Sequence, residues 1–265
     1  MQLKELVGYD LGSHNVTYAP RDAILYALAV GAAASQLDLV YERDLRVLPT
    51  YANALGLWAV EKAGDLGAYD RKRSLHASQA LQMHGPLPRE GTIEMSGRIK
   101  AVWDKGKATI VDVVVDSSAF TATYTLFLPG LGNWGGSPGP STPKEAPPTG
   151  PAWQGGYPTS PNLAALYRLT GDLHPIHIDP ELAGRNGFER PILHGLCTLG
   201  IAARMVAEAA AAHPCDLQSV KARLSAPVLP GETVNVTART TGVVVNFEAE
   251  VAGRAVLNSG QASFS

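Results

Sequence analysis

Two cysteines, Cys197 and Cys215, are the only thiols in 265 residues, so no disulfide framework holds this fold and a reducing compartment is expected. Charge is just as sparse. The 22 Lys and Arg nearly balance 24 Asp and Glu, for a formal net charge of −2. That excludes the strong positive field of a nucleic-acid or anionic-membrane binder, and any phosphate site must be local. No apolar run is long enough to span a bilayer, because segments 24–35 and 196–212 are Ala-rich and either short or interrupted. No charged and then apolar leader opens the sequence, and the final Ala262, Ser263, Phe264 and Ser265 are not a Ser-Lys-Leu address. A cytoplasmic location is the resulting expectation. What remains is 45% hydrophobic against 17% charged residues, enough to bury the core of one large or two medium domains.

Gly and Pro are concentrated in one place. From 129 to 160 they make up half of the residues, which cannot form a helix or a central strand and reads as a linker between domains 1–128 and 161–265. Before the linker, Leu25, Leu28, Ala29 and Ala32 repeat at helical spacing. Ile93, Met95, Gly97, Ile99 and Ala101 then alternate with polar residues as in a half-buried strand, and more strands are expected at 107–116 and 120–128. After the linker comes a long helix over about 195–211, then strands near 219–228, 232–240, 243–251 and 255–264. Both halves introduce a strand with Leu-Pro and a nearby Gly and Thr (87–92 and 229–233), which hints at an internal duplication. A helix and a run of antiparallel strands, used twice, imply an α+β fold.

The densest chemistry lies in Tyr167 to Pro180. Pro161, behind a possible Ser160 cap, starts a short helix over 162–169 that Gly171 ends, so Asp172 falls just past a helix end. Pro175 and Pro180 brace the segment, keep 172–178 extended, and restart a helix with Asp179 as its cap. A carboxylate and an imidazole, Asp172 and His177, thereby share one rigid bend. Taken singly, Asp172 also fits a turn residue bonding nearby amides, and His177 a satisfied core histidine.

Tyr167-Arg-Leu-Thr-Gly-Asp-Leu-His-Pro-Ile-His-Ile-Asp-Pro180, followed by Gly187-Phe-Glu-Arg-Pro-Ile-Leu-His-Gly-Leu-Cys197, resembles the hydratase 2 motif of the MaoC-like (R)-specific enoyl-CoA hydratases. Residues 23–32, 48–50, 75–88, 103–106 and 127–128 resemble the non-catalytic N-terminal half of the two-domain members. The resemblance implies a double hotdog fold, in which each of two units wraps a long helix in an antiparallel sheet. It also implies reversible hydration of trans-2-enoyl-CoA to (3R)-3-hydroxyacyl-CoA in fatty-acid metabolism, on medium-to-long or bulky acyl chains. Asp172 and His177 would move the protons, and the backbone N–H of Gly195, at a helix N-terminus, would hold the developing thioester oxyanion. Coenzyme A would be part of the substrate and no cofactor is called for. A homodimer is expected.

His174 stands where the family usually has Asn, which leaves the fine geometry and the pH range open. His76 and Gln79, with Tyr51, are expected to line or close the acyl pocket. Lys221 and Arg223 alternate with Val220, Ala222 and Leu224 and read as a solvated strand face or as contacts to coenzyme A phosphates; Arg71, Lys72 and Arg73 have the same two readings. His174, His177, Asp179 and His194 could suggest a metal cluster, but their spacing matches neither a helical His-x-x-x-His pair nor a Cys-containing zinc site, so no metal is expected. Rival functions are a dehydratase of carrier-protein-bound or steroid-side-chain thioesters, and a non-catalytic acyl-CoA binding module.

Overall fold

The computed structural model describes residues 1–140 and 152–265; the middle of the Gly/Pro-rich stretch lies outside the described residues. The N-terminal half runs β1 (Asp10–Tyr18), α1 (Pro20–Ala29), α2 (Leu37–Val40), α3 (Ala52–Leu55), α4 (Trp58–Asp65), β2 (Leu75–Met83), β3 (Gly91–Asp104), β4 (Ala108–Ser117) and β5 (Phe120–Pro129). The C-terminal half runs β6 (Trp153–Pro158), α5 (Leu163–Tyr167), α6 (Pro180–Arg185), α7 (Gly195–Ala209), β7 (Leu217–Leu224), β8 (Thr233–Thr241), β9 (Val244–Val251) and β10 (Arg254–Phe264).

All ten strands form one sheet, in the order β1-β3-β4-β5-β2-β7-β10-β9-β8-β6. Read outward from the central pair, each half repeats one pattern: β2-β5-β4-β3-β1 on one side and β7-β10-β9-β8-β6 on the other. The duplication hinted at by the Leu-Pro turns is therefore a duplication of topology. The two units meet in an antiparallel seam from Ser78↔Arg223 to Gln82↔Ser219, so both halves belong to a single ten-stranded sheet.

The units differ in what the sheet wraps. The C-terminal unit holds α7, 15 residues long and apolar nearly all round, with Leu199, Ile201, Ala202 and Val206 fully buried. Gly200 lets α1 come close: a Cβ there would meet Val30 Cγ1 at 2.7 Å and the Tyr26 hydroxyl at 2.9 Å. In the N-terminal unit the place of the long helix is taken by α3 and the eight-residue α4. They are separated at Gly56, where a Cβ would lie 2.5 Å from the Tyr124 hydroxyl. The shorter helix leaves room beside the sheet for a cavity.

Two readings of local structure are corrected. The buried residues of α1 are Ala23, Tyr26, Ala27 and Ala29, whereas Leu28 is exposed; Ala29 lies on the buried face as expected, but Tyr26 rather than Leu28 faces the core. The Gly/Pro-rich stretch contributes β6, which pairs with β8 at the sheet's edge through Gly155 and Gly156, and edge strands tolerate such residues.

Candidate active site

Asp172 is delivered to the site by a helix that tightens and stops. α5 passes into a 3-10 turn over Arg168–Thr170, and Gly171 ends it with φ 137°, a conformation L side chains rarely adopt. The expected extended path from 172 to 178 is broken by a second 3-10 turn, Pro175–His177. His174 caps that turn: its Nδ1 accepts from the Ile176 N–H at 3.3 Å, while its own N–H donates to Asp172 Oδ1 at 3.2 Å. Asp179 caps α6 as expected, accepting from the N–H groups of Glu181 and Leu182.

The turn places His177 over the start of α7. His177 Nδ1 lies 2.8 Å from the Ile192 carbonyl oxygen, an acceptor, so Nδ1 carries the proton and Nε2 keeps its lone pair. Burial, reinforced by the positive charge of Arg168, pulls the ring down to about 4 against the Ile192 bond that opposes it. It is therefore a neutral base at neutral pH. Burial acts in the opposite sense on Asp172 and holds its carboxyl above the usual range, despite the His174 N–H and the charges of His174, Arg71 and Arg168.

One member of the cluster was not singled out as a site residue. His194, 1% exposed, stacks on His177 with ring centroids 3.6 Å apart and donates from Nε2 to the Asp172 carbonyl oxygen at 3.1 Å. Its Nδ1 is buried with no hydrogen-bond partner among the described residues. Burial, followed by the neighbouring His177, depresses it to about 2, so it stays neutral. In sequence its signal was the His-Gly pair that opens α7, which was read for the glycine. Donor atoms of Asp172, His177 and His194 lie within 4.8 Å of one another. The two rings are nearly parallel, at 25°, so their in-plane lone pairs do not converge on one ion as metal ligation demands.

These groups open onto a cavity of about 530 Å³. Its catalytic wall is Asp172, His174, His177 and Gly195, whose N–H, first in α7, has no intrahelical acceptor. The apolar wall includes Leu196, Leu224, Val228 and Val256, and the N-terminal unit closes it with Leu57, Val60, Tyr69 and His76. Of the residues expected there, Gln79 is buried behind His76 and Tyr51 packs against Tyr18 and Tyr26. Lys221 and Arg223 are exposed on the outer face of the sheet and do not line this cavity; the cations that do are Arg71 and Lys72. Arg71 is ion-paired to Glu61 and Asp65.

Two family models match the sequence: a MaoC like domain over 144–260 and the MFE-2 hydratase 2 N-terminal domain over 16–128. The chain is 36% identical to 3-hydroxyacyl-thioester dehydratase Y of Mycobacterium tuberculosis, covering 93% of each protein. It is also 36% identical to peroxisomal multifunctional enzyme type 2 of Drosophila melanogaster, matching 87% of this chain but only 42% of that longer protein. The solved MaoC-like dehydratase of Phytophthora capsici superposes with a TM-score of 0.88 at 26% identity, covering 100% of this chain and 98% of the other. The chain also superposes on Rv0216 of Mycobacterium tuberculosis, a double hotdog fold, with a TM-score of 0.65 at 15% identity over 100% of this chain and 98% of the other, which with the sheet order identifies the fold as a double hotdog. The chain belongs to the two-domain MaoC-like family of hydratase 2 and 3-hydroxyacyl-thioester dehydratase enzymes, which are hydro-lyases.

Proposed function

We propose that the protein interconverts trans-2-enoyl thioesters and (3R)-3-hydroxyacyl thioesters in fatty-acid metabolism. The observation that carries the reading is the joint placement of Asp172, His177 and the Gly195 N–H on one wall of an apolar cavity. A water between Asp172 and His177, which each have a polar side-chain atom within 4.8 Å of the other, would donate one hydrogen to the carboxylate and one to the free ring nitrogen. Loss of one proton to this pair lets the oxygen attack carbon 3. Negative charge then builds on the thioester oxygen, where the Gly195 N–H and the positive end of α7 oppose it; one such donor is worth about 3 to 4 kcal/mol. Returning a proton to carbon 2 completes the addition. Carbon 3 rises and carbon 2 falls by one oxidation level, so the addition is redox-neutral as a whole; the chain's own groups carry every proton, and the reaction calls for no redox cofactor.

The cavity volume of about 530 Å³, and the short α4 whose Val60 lines it, support medium-to-long or bulky acyl chains. Loss of the enoyl thioester absorbance band, followed across acyl lengths and with and without chelator, tests the reading. Hydration at C4 alone, or none, would contradict it. An R-configured product gives no NADH with an S-specific 3-hydroxyacyl-CoA dehydrogenase, and a strong NADH signal would refute that stereochemistry.

A further inference from the structure

In the unit that carries no catalytic pair, His76 is fixed more firmly than a wall residue requires. Its Nε2 lies 3.1 Å from the Ser78 carbonyl oxygen and 3.1 Å from Gln79 Oε1. The Gln79 amide is oriented in turn, because its Nε2 donates to Asn53 Oδ1 at 2.7 Å and to the Ala80 carbonyl at 3.3 Å. The Tyr124 hydroxyl holds the Asn53 backbone carbonyl at 2.8 Å. Both neighbours of His76 Nε2 are acceptors, so Nε2 carries the proton and Nδ1 keeps a lone pair. Burial holds the ring at about 4, which keeps it neutral. Nδ1 has no partner among the described residues and is not sealed off, in a ring that lines the cavity.

The topology puts this acceptor beside the reaction centre. β2 and β7 are paired up to Ser78↔Arg223, so in continued register Leu224 falls opposite Ala77, one residue from His76, and His76 and Leu224 line the same cavity. Leu224 in turn covers Gly195, with its Cδ1 2.9 Å from where a Cβ would stand. An enoyl chain has no hydrogen-bond donor, and a new 3-hydroxyl faces Asp172 and His177. The next donor on a biological thioester is the first amide N–H of the pantetheine arm, two carbons beyond the sulfur.

We propose that His76 Nδ1 accepts a hydrogen bond from that amide, so that the N-terminal unit reads the pantetheine arm shared by coenzyme A and carrier proteins. The inference rests on the thioester reading above. Its test compares crotonyl-N-acetylcysteamine with the analogue in which ester oxygen replaces the amide N–H. Wild type should show a kcat/KM roughly three- to tenfold lower on the ester analogue, and His76→Phe should treat the two alike. Equal values in wild type overturn the proposal without any variant, and so does a preference that persists in a folded His76→Phe. His76→Phe should also lower kcat/KM on crotonyl-CoA and on crotonyl carrier protein by one common factor, the better wild-type substrate identifying the source of the arm; a loss confined to one of them refutes it. Failure of wild type to hydrate crotonyl-CoA at all would remove the hydratase reading itself.

Discussion

The imidazoles of His177 and His194 are stacked at 3.6 Å, and His194 also holds the backbone of Asp172 by a 3.1 Å hydrogen bond. One buried ring thus positions both groups to which the proposed mechanism assigns the proton transfers. His194→Phe keeps a stacking partner and removes the bond. The expected result is a fall in kcat of about 10²-fold with KM nearly unchanged, as for misplaced catalytic groups. Steady-state kinetics on crotonyl-CoA check this, and a raised KM with intact kcat would instead assign the ring to substrate binding.

Asp172→Asn and His177→Ala should each lower kcat by about 10² to 10⁴ while the fold, followed by circular dichroism, persists. If both side chains act on one water, as proposed, the double variant should be little worse than the poorer single. Multiplicative losses would show that they serve separate steps.

At Gly195 the missing side chain leaves room for Leu224. A Cβ would lie 2.9 Å from Leu224 Cδ1, so Gly195→Ala both crowds that leucine and obstructs the helix N-terminus. Gly195→Ala should lower kcat/KM by at least about tenfold, and adding Leu224→Ala should restore stability but not activity. Thermal melts and kinetics on the same pair of variants separate the two effects.

His174 offers a pH test. Burial, then His177, lowers its pKa against the pull of Asp172, and its neutral Nδ1 accepts the Ile176 N–H that shapes the turn. Protonation removes that acceptor and sets a positive charge beside the carboxylate, lowering its basicity. An Asn oxygen can accept the same bond without titrating. His174→Asn should match wild type near pH 8 and lose less activity below about pH 6. Superimposable profiles of kcat/KM would reduce position 174 to a spacer.

Folding stability should follow the buried histidines. His76 and His177 fall from 6.5 to about 4 on folding, and His194 to about 2. The unfolded chain therefore binds more protons than the folded one below 6.5, so stability is complete above that pH and drains away as pH falls through 6.5 toward 4 and below. Tm measured in a series of buffers should drop over that window; a flat profile would mean that these rings are hydrated in the folded state.

The catalytic loop was legible because its signals are local: Pro175, Pro180 and Gly171 restrict the backbone within a few residues of the groups they position. Residues whose roles depend on distant partners were not. β1 has five exposed residues among nine, because it is an edge strand, and so shows no clean alternation. His194 looks like any histidine before a helix until the fold lays it on His177. Lys221 and Arg223 were correctly placed on an alternating strand, but only the sheet shows which face the cavity uses. In 172–178 the His174 cap overrode the extended preference set by Pro175.

The seam between β2 and β7 is built of backbone hydrogen bonds between Ser78–Gln82 and 219–223. Cutting the chain within 141–151 would leave each fragment with a bare central strand, an open template for any other extended peptide. Expressed apart, the halves should aggregate or pair with copies of themselves; expressed together, each edge is the other's complement, and activity should return as a split enzyme.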